Sequence, residues 1–432
     1  MSRSDTVILL PRPYAKASGR LLLLPLLPHR KPLKSLPCEL WTEIVTFAFA
    51  SIKDSEPGLS KWPWSFVKVC KSFQEIGLPL IYSSIQISDI STLNKFYDQL
   101  HLADQKWDSL RRIPYSTPGR WIQKLDFSEM TFEGQPQAVF MDSLLTQLFR
   151  LTPSLASLSI NPSFVLSRRA LDSLAQREGS VNLRSISGLS YVPRSTPDLK
   201  EDPFVELLRR SPNLEVVVVI GQGLDPTELE FGFGSMTFDM FSTSTFAPLN
   251  LPKLHTLSLL SMCSSPLMFA LIQSPLPSIK KLTITPYEDI PSSMSLQLIT
   301  THGATLSSLL LFTPKSWPTR LHPSPNNLLM CCPILNHLSL ETPLPSLGLT
   351  ANHNLRILSI PRPANEFWRE LERVFRFLPH LSVLRIRDVR WLRKGVSSMA
   401  QEAGVQGEMR EWRRRLDRRQ ILLVDADWRN HE

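Results

Sequence analysis

The chain has 432 residues, with 48 Lys and Arg against 39 Asp and Glu for a formal charge of +9. Two-thirds of that excess lies in residues 1–34, where Arg3, Arg12, Lys16, Arg20, Arg30, Lys31 and Lys34 face only Asp5. The remainder lacks the concentrated basic stripe that nucleic acid demands, and no apolar run approaches the ~20 residues needed to cross a bilayer.

Residues 1–34 are expected to be a disordered basic tail, because Pro11, Pro13, Pro25, Pro28 and Pro32 break any amphipathic helix. The apolar run Leu21–Pro28 leaves one competing reading, a targeting presequence.

Residues 35–84 read as three short helices. Ser35, Pro37 and Glu39 mark a helix start, and Leu40, Trp41, Ile44, Val45, Ala48 and Phe49 recur at three- and four-residue spacing. A turn-rich loop, DSEPGLSKWPW, follows. A second apolar run holds Phe66, Val67, Val69, Cys70 and Phe73, and a third holds Ile76, Leu78, Leu80, Ile81 and Tyr82. About fifty residues cannot bury so many apolar side chains among themselves. Periodicity alone leaves two outcomes open: a helical cap on the next domain, or a contact surface for a partner.

The LPCEL opening and the VCKSF block at its separation resemble an F-box. That resemblance implies docking onto the Skp-type adaptor of a cullin–RING ubiquitin ligase. It further implies that Leu36, Pro37, Leu40, Ile44, Val69, Cys70 and Phe73 contribute to the adaptor-facing surface.

After a connector at 85–118, the pattern apolar-x-x-apolar-x-apolar returns ten times through 119–390. Its copies begin at Ile122, Leu155, Leu183, Leu214, Leu254, Ile279, Leu306, Leu335, Leu355 and Leu381; the third is imperfect, with Gly188 in its last position. Six copies carry a proline two residues ahead: Pro153, Pro212, Pro252, Pro277, Pro333 and Pro379. Proline cannot continue a helix, so it marks the passage from helix to strand. Helix-like stretches lie between, at Val139–Leu151, Phe204–Arg210, Leu267–Gln273 and Glu366–Leu378. The fold class is therefore α/β, and the array resembles an irregular leucine-rich-repeat solenoid, a horseshoe. An ordinary doubly wound α/β domain is the competing architecture, but its strands read as more continuous apolar runs. The asparagine usual after such strands is replaced by Met262, Tyr287, Pro314, Pro343 or Val389, so backbone hydrogen bonds must be satisfied in another way. Residues 391–432 are expected to cap the array, with a helix over Val396–Leu416 and a short strand at Ile421–Val424.

Residues alternating with the leucines face away from the core. Most are small hydroxyls, such as Ser157, Ser159, Ser185, Ser187, Thr256, Ser258, Ser339 and Ser359. Val216, Val218, Ile220, Leu260, Leu310 and Phe312 are apolar instead, and Arg385 and Arg387 add paired positive charge. Together these eight are the candidate target-binding residues, with arginine suited to carboxylate or phosphate.

Catalytic signatures are scarce. The GQG at 221–223 follows a valine-rich strand, but Pro226 takes the third glycine position of a dinucleotide loop. The nine histidines have no spaced carboxylate or cysteine partners, and the five cysteines form no CxxC pair. They read as reduced, mostly buried thiols. The expectation is a non-enzymatic substrate-receptor subunit without cofactor or metal, cytoplasmic or nuclear, binding the adaptor and an unknown target protein but neither nucleic acid nor membrane. A non-degradative scaffold and an α/β nucleotide-binding enzyme are the alternatives.

Overall fold

The computed structural model describes residues 36–53, 62–106, 118–192, 202–221, 247–262, 265–286, 294–313, 327–392 and 404–430. The expectations for the tail at 1–34, and for Cys263, Tyr287 and Pro314, lie outside them. The chain divides into two compact units, 1–78 and 79–432.

In the first unit, α1 (Cys38–Lys53) starts directly after Pro37, whose carbonyl accepts from the Trp41 N–H. A short α2 (Trp62–Phe66) ends in a turn, and α3 (Lys71–Ser83) carries the chain into the second unit. The expected second helix is therefore split near Cys70, and Phe73 shares α3 with the third apolar run. Aromatic rings hold these pieces together. Phe66 stacks on Phe73 at 4.5 Å, and Trp41 meets Phe73 edge-on at 5.3 Å. Gly77 is buried here because a Cβ would lie 2.6 Å from Val67 Cγ1.

The second unit holds twelve strands among the described residues. They are β1 (Ser84–Gln86), β2 (Lys124–Phe127), β3 (Ser157–Ile160), β4 (Ser185–Tyr191), β5 (Val216–Gly221) and β6 (Thr256–Leu260). Then follow β7 (Lys281–Ile284), β8 (Ser308–Leu311), β9 (His337–Ser339), β10 (Ile357–Ile360), β11 (Val383–Ile386) and β12 (Leu422–Val424). All pair in parallel, and their order in the sheet is their order in the chain. A doubly wound sheet reverses direction at a switch point; this one never does. Every crossover of the same hand returns its helix to the same face, so the units stack as a solenoid.

Register explains why the repeat was legible. Leu125, Leu158, Ile186, Val217, Leu257, Leu282, Leu309, Leu338, Leu358 and Leu384 form one continuous row across the sheet. Each is fully buried under the helices, contributing on the order of 2 kcal/mol. Ile85 begins the row and Leu423 ends it. The sheet thus starts at Ser84, ahead of the expected 119. The segment assigned to a connector contains the helix Ile90–Gln105, capped by Asp89 on the Thr92 N–H. Tyr82, Ile85 and Ile87 spell the same pattern, with an aromatic residue in its first position.

The prolines do more than end helices. In all six copies the proline is the second residue of a turn, with the first apolar residue of the repeat donating back across it, as in Leu155 N–H to Thr152 O and Leu335 N–H to Cys332 O. Proline's fixed φ suits that position. The missing asparagines are also accounted for. One carbonyl ahead of each strand from β2 to β10 accepts two consecutive N–H groups of the next repeat; Gln123 O takes Ala156 and Ser157, and Lys280 O takes Ser307 and Ser308. Buried side chains satisfy other carbonyls. Arg177 donates to Thr152 O and Leu155 O, His302 pairs with Leu271 O, and His353 with Cys332 O.

Candidate interaction surfaces

Within the first unit, the apolar positions of α1 divide between two faces. Val45 is buried, whereas Leu40 is 44 %, Ile44 47 % and Phe47 73 % exposed. The spacing of four and then three places these three on one helical stripe. Leu36, just before the helix, and Val69, in the turn before α3, are exposed too. Of the seven residues that the F-box resemblance named, Leu36, Pro37, Leu40, Ile44, Val69 and Cys70 are at the surface, and Phe73 is half-buried in the aromatic cluster. Phe47 was missed, although its i+3 relation to Ile44 made it accessible to the same periodicity. Cys38 and Cys70 are exposed and free, a departure from the mostly buried thiols expected. Among the described cysteines Cys332 is buried, which pushes its thiol up to about 12, and Cys331 beside it is half-buried.

In the second unit the helices leave the opposite face of the sheet open. Val216, Val218, Ile220, Leu260 and Leu310 lie on it half-buried, and Phe312 is exposed. Ile220 and Leu260 pair directly across β5 and β6. Along the row that begins at Val218, the neighbours are Ser258, Thr283, Leu310, Ser339, Ser359 and Arg385.

The two arginines behave differently. Arg387 is held by the protein itself. Its guanidinium donates to Glu341 at 2.7 Å, to Leu311 O at 3.1 Å and to Asp388 at 3.2 Å. With 15 % of its side chain exposed, it fastens β11 across to β8 and is not free for a partner. Arg385 donates to Ala426 O and lies 4.5 Å from the ring centroid of Trp428, while its buried Nε has no hydrogen-bond partner among the described residues. Burial, then the nearby Arg387 charge, lowers its affinity for a proton.

These residues line a cleft of about 420 Å³ whose walls include Lys281, Leu310, Phe312, His337, Arg385 and Trp428. Trp428 comes from the segment after β12 and was not anticipated, because nothing in its local sequence links it to β9 or β11. His337 was missed for a similar reason: one histidine at a strand start carries no pattern. Its Nε2 lies 3.0 Å from Ser359 Oγ, and its ring meets Trp428 edge-on. Ser339 and Ser359, expected as solvated hydroxyls, are buried beneath this cluster.

Burial, followed by the charges of Arg385 and Lys281, pushes His337 down from 6.5 to about 4. The unfolded chain therefore takes up a proton near pH 6.5 that the folded protein refuses until near pH 4, so stability falls as pH drops through that window. After discounting for solvent, the loss is about 1–2 kcal/mol. His302, lowered by burial between repeats, adds in the same direction. Urea unfolding at pH 7 and pH 4.5 checks this: the difference in stability is expected to shrink in His337→Asn, and an unchanged difference would mean that this imidazole is not insulated from protons.

Gly221, the first glycine of the GQG run, ends β5 where a Cβ would lie 2.2 Å from Ser261 O. The approach of the neighbouring repeat gives that glycine a packing reason; Gly223 and Pro226 lie outside the described residues. Among the described residues there is no cluster of three or more metal-ligating side chains, and no helix is long and apolar enough to cross a membrane.

No family model matches the chain, and no curated protein matches it. Among solved structures, a complex of Rad7 and Elc1 in yeast contains a similar chain at 12 % identity, covering 82 % of this chain and 95 % of that one. The TM-score is 0.24, too low for the two to count as one fold, and the likeness decides nothing further.

Proposed function

We propose that the protein is a substrate-receptor subunit of a cullin–RING ubiquitin ligase, its first unit an F-box that docks a Skp-type adaptor and its repeats the surface that holds a target protein. The observation that carries this reading is the exposed pair Leu40 and Ile44, one turn apart on α1, flanked by Leu36 and Val69 in a unit too small to cover them. Large apolar side chains left at the surface at helical spacing are a contact in search of a partner, and they fall where the LPCEL and VCKSF segments resemble the F-box. On this reading the protein acts in the cytoplasm or nucleus without performing chemistry. It raises the effective concentration of its target near the ubiquitin-loading enzyme.

The direct test mixes the purified chain with a recombinant Skp-type adaptor and follows them by gel filtration. A co-eluting complex is expected, and it should survive deletion of residues 1–34, whose five prolines break up the apolar runs Val7–Leu10 and Leu21–Pro28. Absence of co-elution by the full chain would end the adaptor reading, and its loss on deletion alone would place part of the docking surface in the tail.

A further inference from the structure

The cleft on the open face of the sheet has two unlike halves. Leu310, Phe312 and the ring of Trp428 form an apolar side. Lys281 and Arg385 form a cationic side, and both act on His337 at the centre. The carboxylates near these cations have other partners among the described residues, although the Asp425 and Asp427 charges still act on Arg385. Glu341 is held by Arg387, Asp427 by Arg390 at 3.2 Å, and Asp425 accepts the N–H groups of Trp391, Asp427 and Arg429. Lys281 is exposed and makes no ion pair among the described residues, and Arg385 keeps a buried Nε without a partner. Among the described residues the cleft therefore presents Lys281 without an ion pair, and Arg385 with the Asp425 and Asp427 charges acting on it, beside an apolar wall, in a volume within the range of about 300–1,000 Å³ that suits bound groups.

We propose that this cleft receives an acidic residue of an extended target peptide lying across the strands, its carboxylate at Lys281 and Arg385 and the flanking apolar residue against Leu310, Phe312 and Trp428. The occupant is a peptide because the apolar surface continues beyond the cleft. Val218 stands in the same row as Leu310 and Arg385, with only small side chains, Ser258 and Thr283, between Val218 and Leu310. From β5 to β11 is about 29 Å at the usual strand spacing, which roughly nine extended residues would span. Two cations, one of them already bonded to Ala426 O and stacked on Trp428, are too few for a polyanion, and the apolar wall offers a bare phosphate nothing. The proposal rests on the target-binding half of the function given above and is independent of adaptor docking.

A randomised nine-residue peptide library displayed on phage, selected against the full chain, tests it. Enriched peptides are expected to pair Asp or Glu with an adjacent aliphatic or aromatic residue. Their capture should fall by about tenfold or more on Lys281→Glu, a change at an exposed side chain that makes no ion pair among the described residues, and should also fall on Arg385→Gln. A selected pool with no acidic bias overturns the proposal, as does undiminished capture by Lys281→Glu at an unchanged melting temperature. Adaptor co-elution measured on the same preparations keeps the two readings apart. A wild-type chain that binds the adaptor but enriches no acidic peptides counts against the cleft alone, and one that enriches them without binding the adaptor counts against docking alone.

Discussion

Replacing Leu40 and Ile44 together with aspartate is expected to abolish adaptor binding while leaving the repeats folded. Both side chains are nearly half exposed in the free protein, so their removal leaves no cavity. In a complex the exposed half of each would be buried, a gain of roughly 0.7–1.5 kcal/mol apiece. Losing both costs about 1.5–3 kcal/mol, and burying two carboxylates without partners adds at least as much again, roughly 1–3 kcal/mol each. Affinity should therefore fall by more than about a hundredfold. Val45→Asp is the contrasting variant: Val45 is buried, so that change should melt the first unit itself. Gel filtration with the adaptor and circular dichroism separate these results. Undiminished complex formation by the Leu40→Asp, Ile44→Asp protein would mean that this stripe is not the docking surface.

The second large effect is expected inside the sheet, at Gly188→Val. Gly188 occupies the third apolar position of its repeat, where the pattern is broken, and it has φ +74°. Here the chain bulges, the register between β4 and β5 shifts, and Leu189 supplies the buried side chain that pairs with Val219. A β-branched residue resists that left-handed conformation, and its Cβ would lie 2.0 Å from Ile160 O of the preceding strand. Backbone cannot retreat as a flexible side chain can, so a loss of about 3 kcal/mol or more is expected from the strain and the clash together. Gly404→Ala isolates the conformational part. Its φ is +55°, yet nothing lies within 4 Å of the added carbon, so about 1–2 kcal/mol is expected there. Equal unfolding midpoints for the two variants would remove the carbonyl contact from the explanation.

The ten copies of the apolar pattern were legible because each strand buries the same side of itself against its own helix, a local rule repeated along the chain. Periodicity of this kind survives changes of residue type, so Ile186 and Val217 serve in a row otherwise mostly of leucine. The first repeat escaped because Tyr82 replaces an aliphatic residue and because an α-helix runs directly into the strand. The stripe on α1 was likewise written in residue spacing, since a helix turns by a constant angle and exposes the surplus that a small unit cannot cover.

What the local pattern could not carry was everything that depends on residues far apart in the chain. Arg385 lies on β11 and Arg387 just after it, and the two look equivalent in sequence. Glu341, 46 residues earlier, occupies one of them, and Trp428, 43 residues later, lies over the other. Single residues such as His337 and Trp428 have no period to betray them. The sequence by itself determined the strand–helix alternation, the buried row and the apolar stripe, because these follow from backbone geometry acting within one repeat. Only the tertiary structure decided which charges are compensated and which face a cleft, because electrostatic pairing acts through space and takes its partners from whichever strands the register brings together.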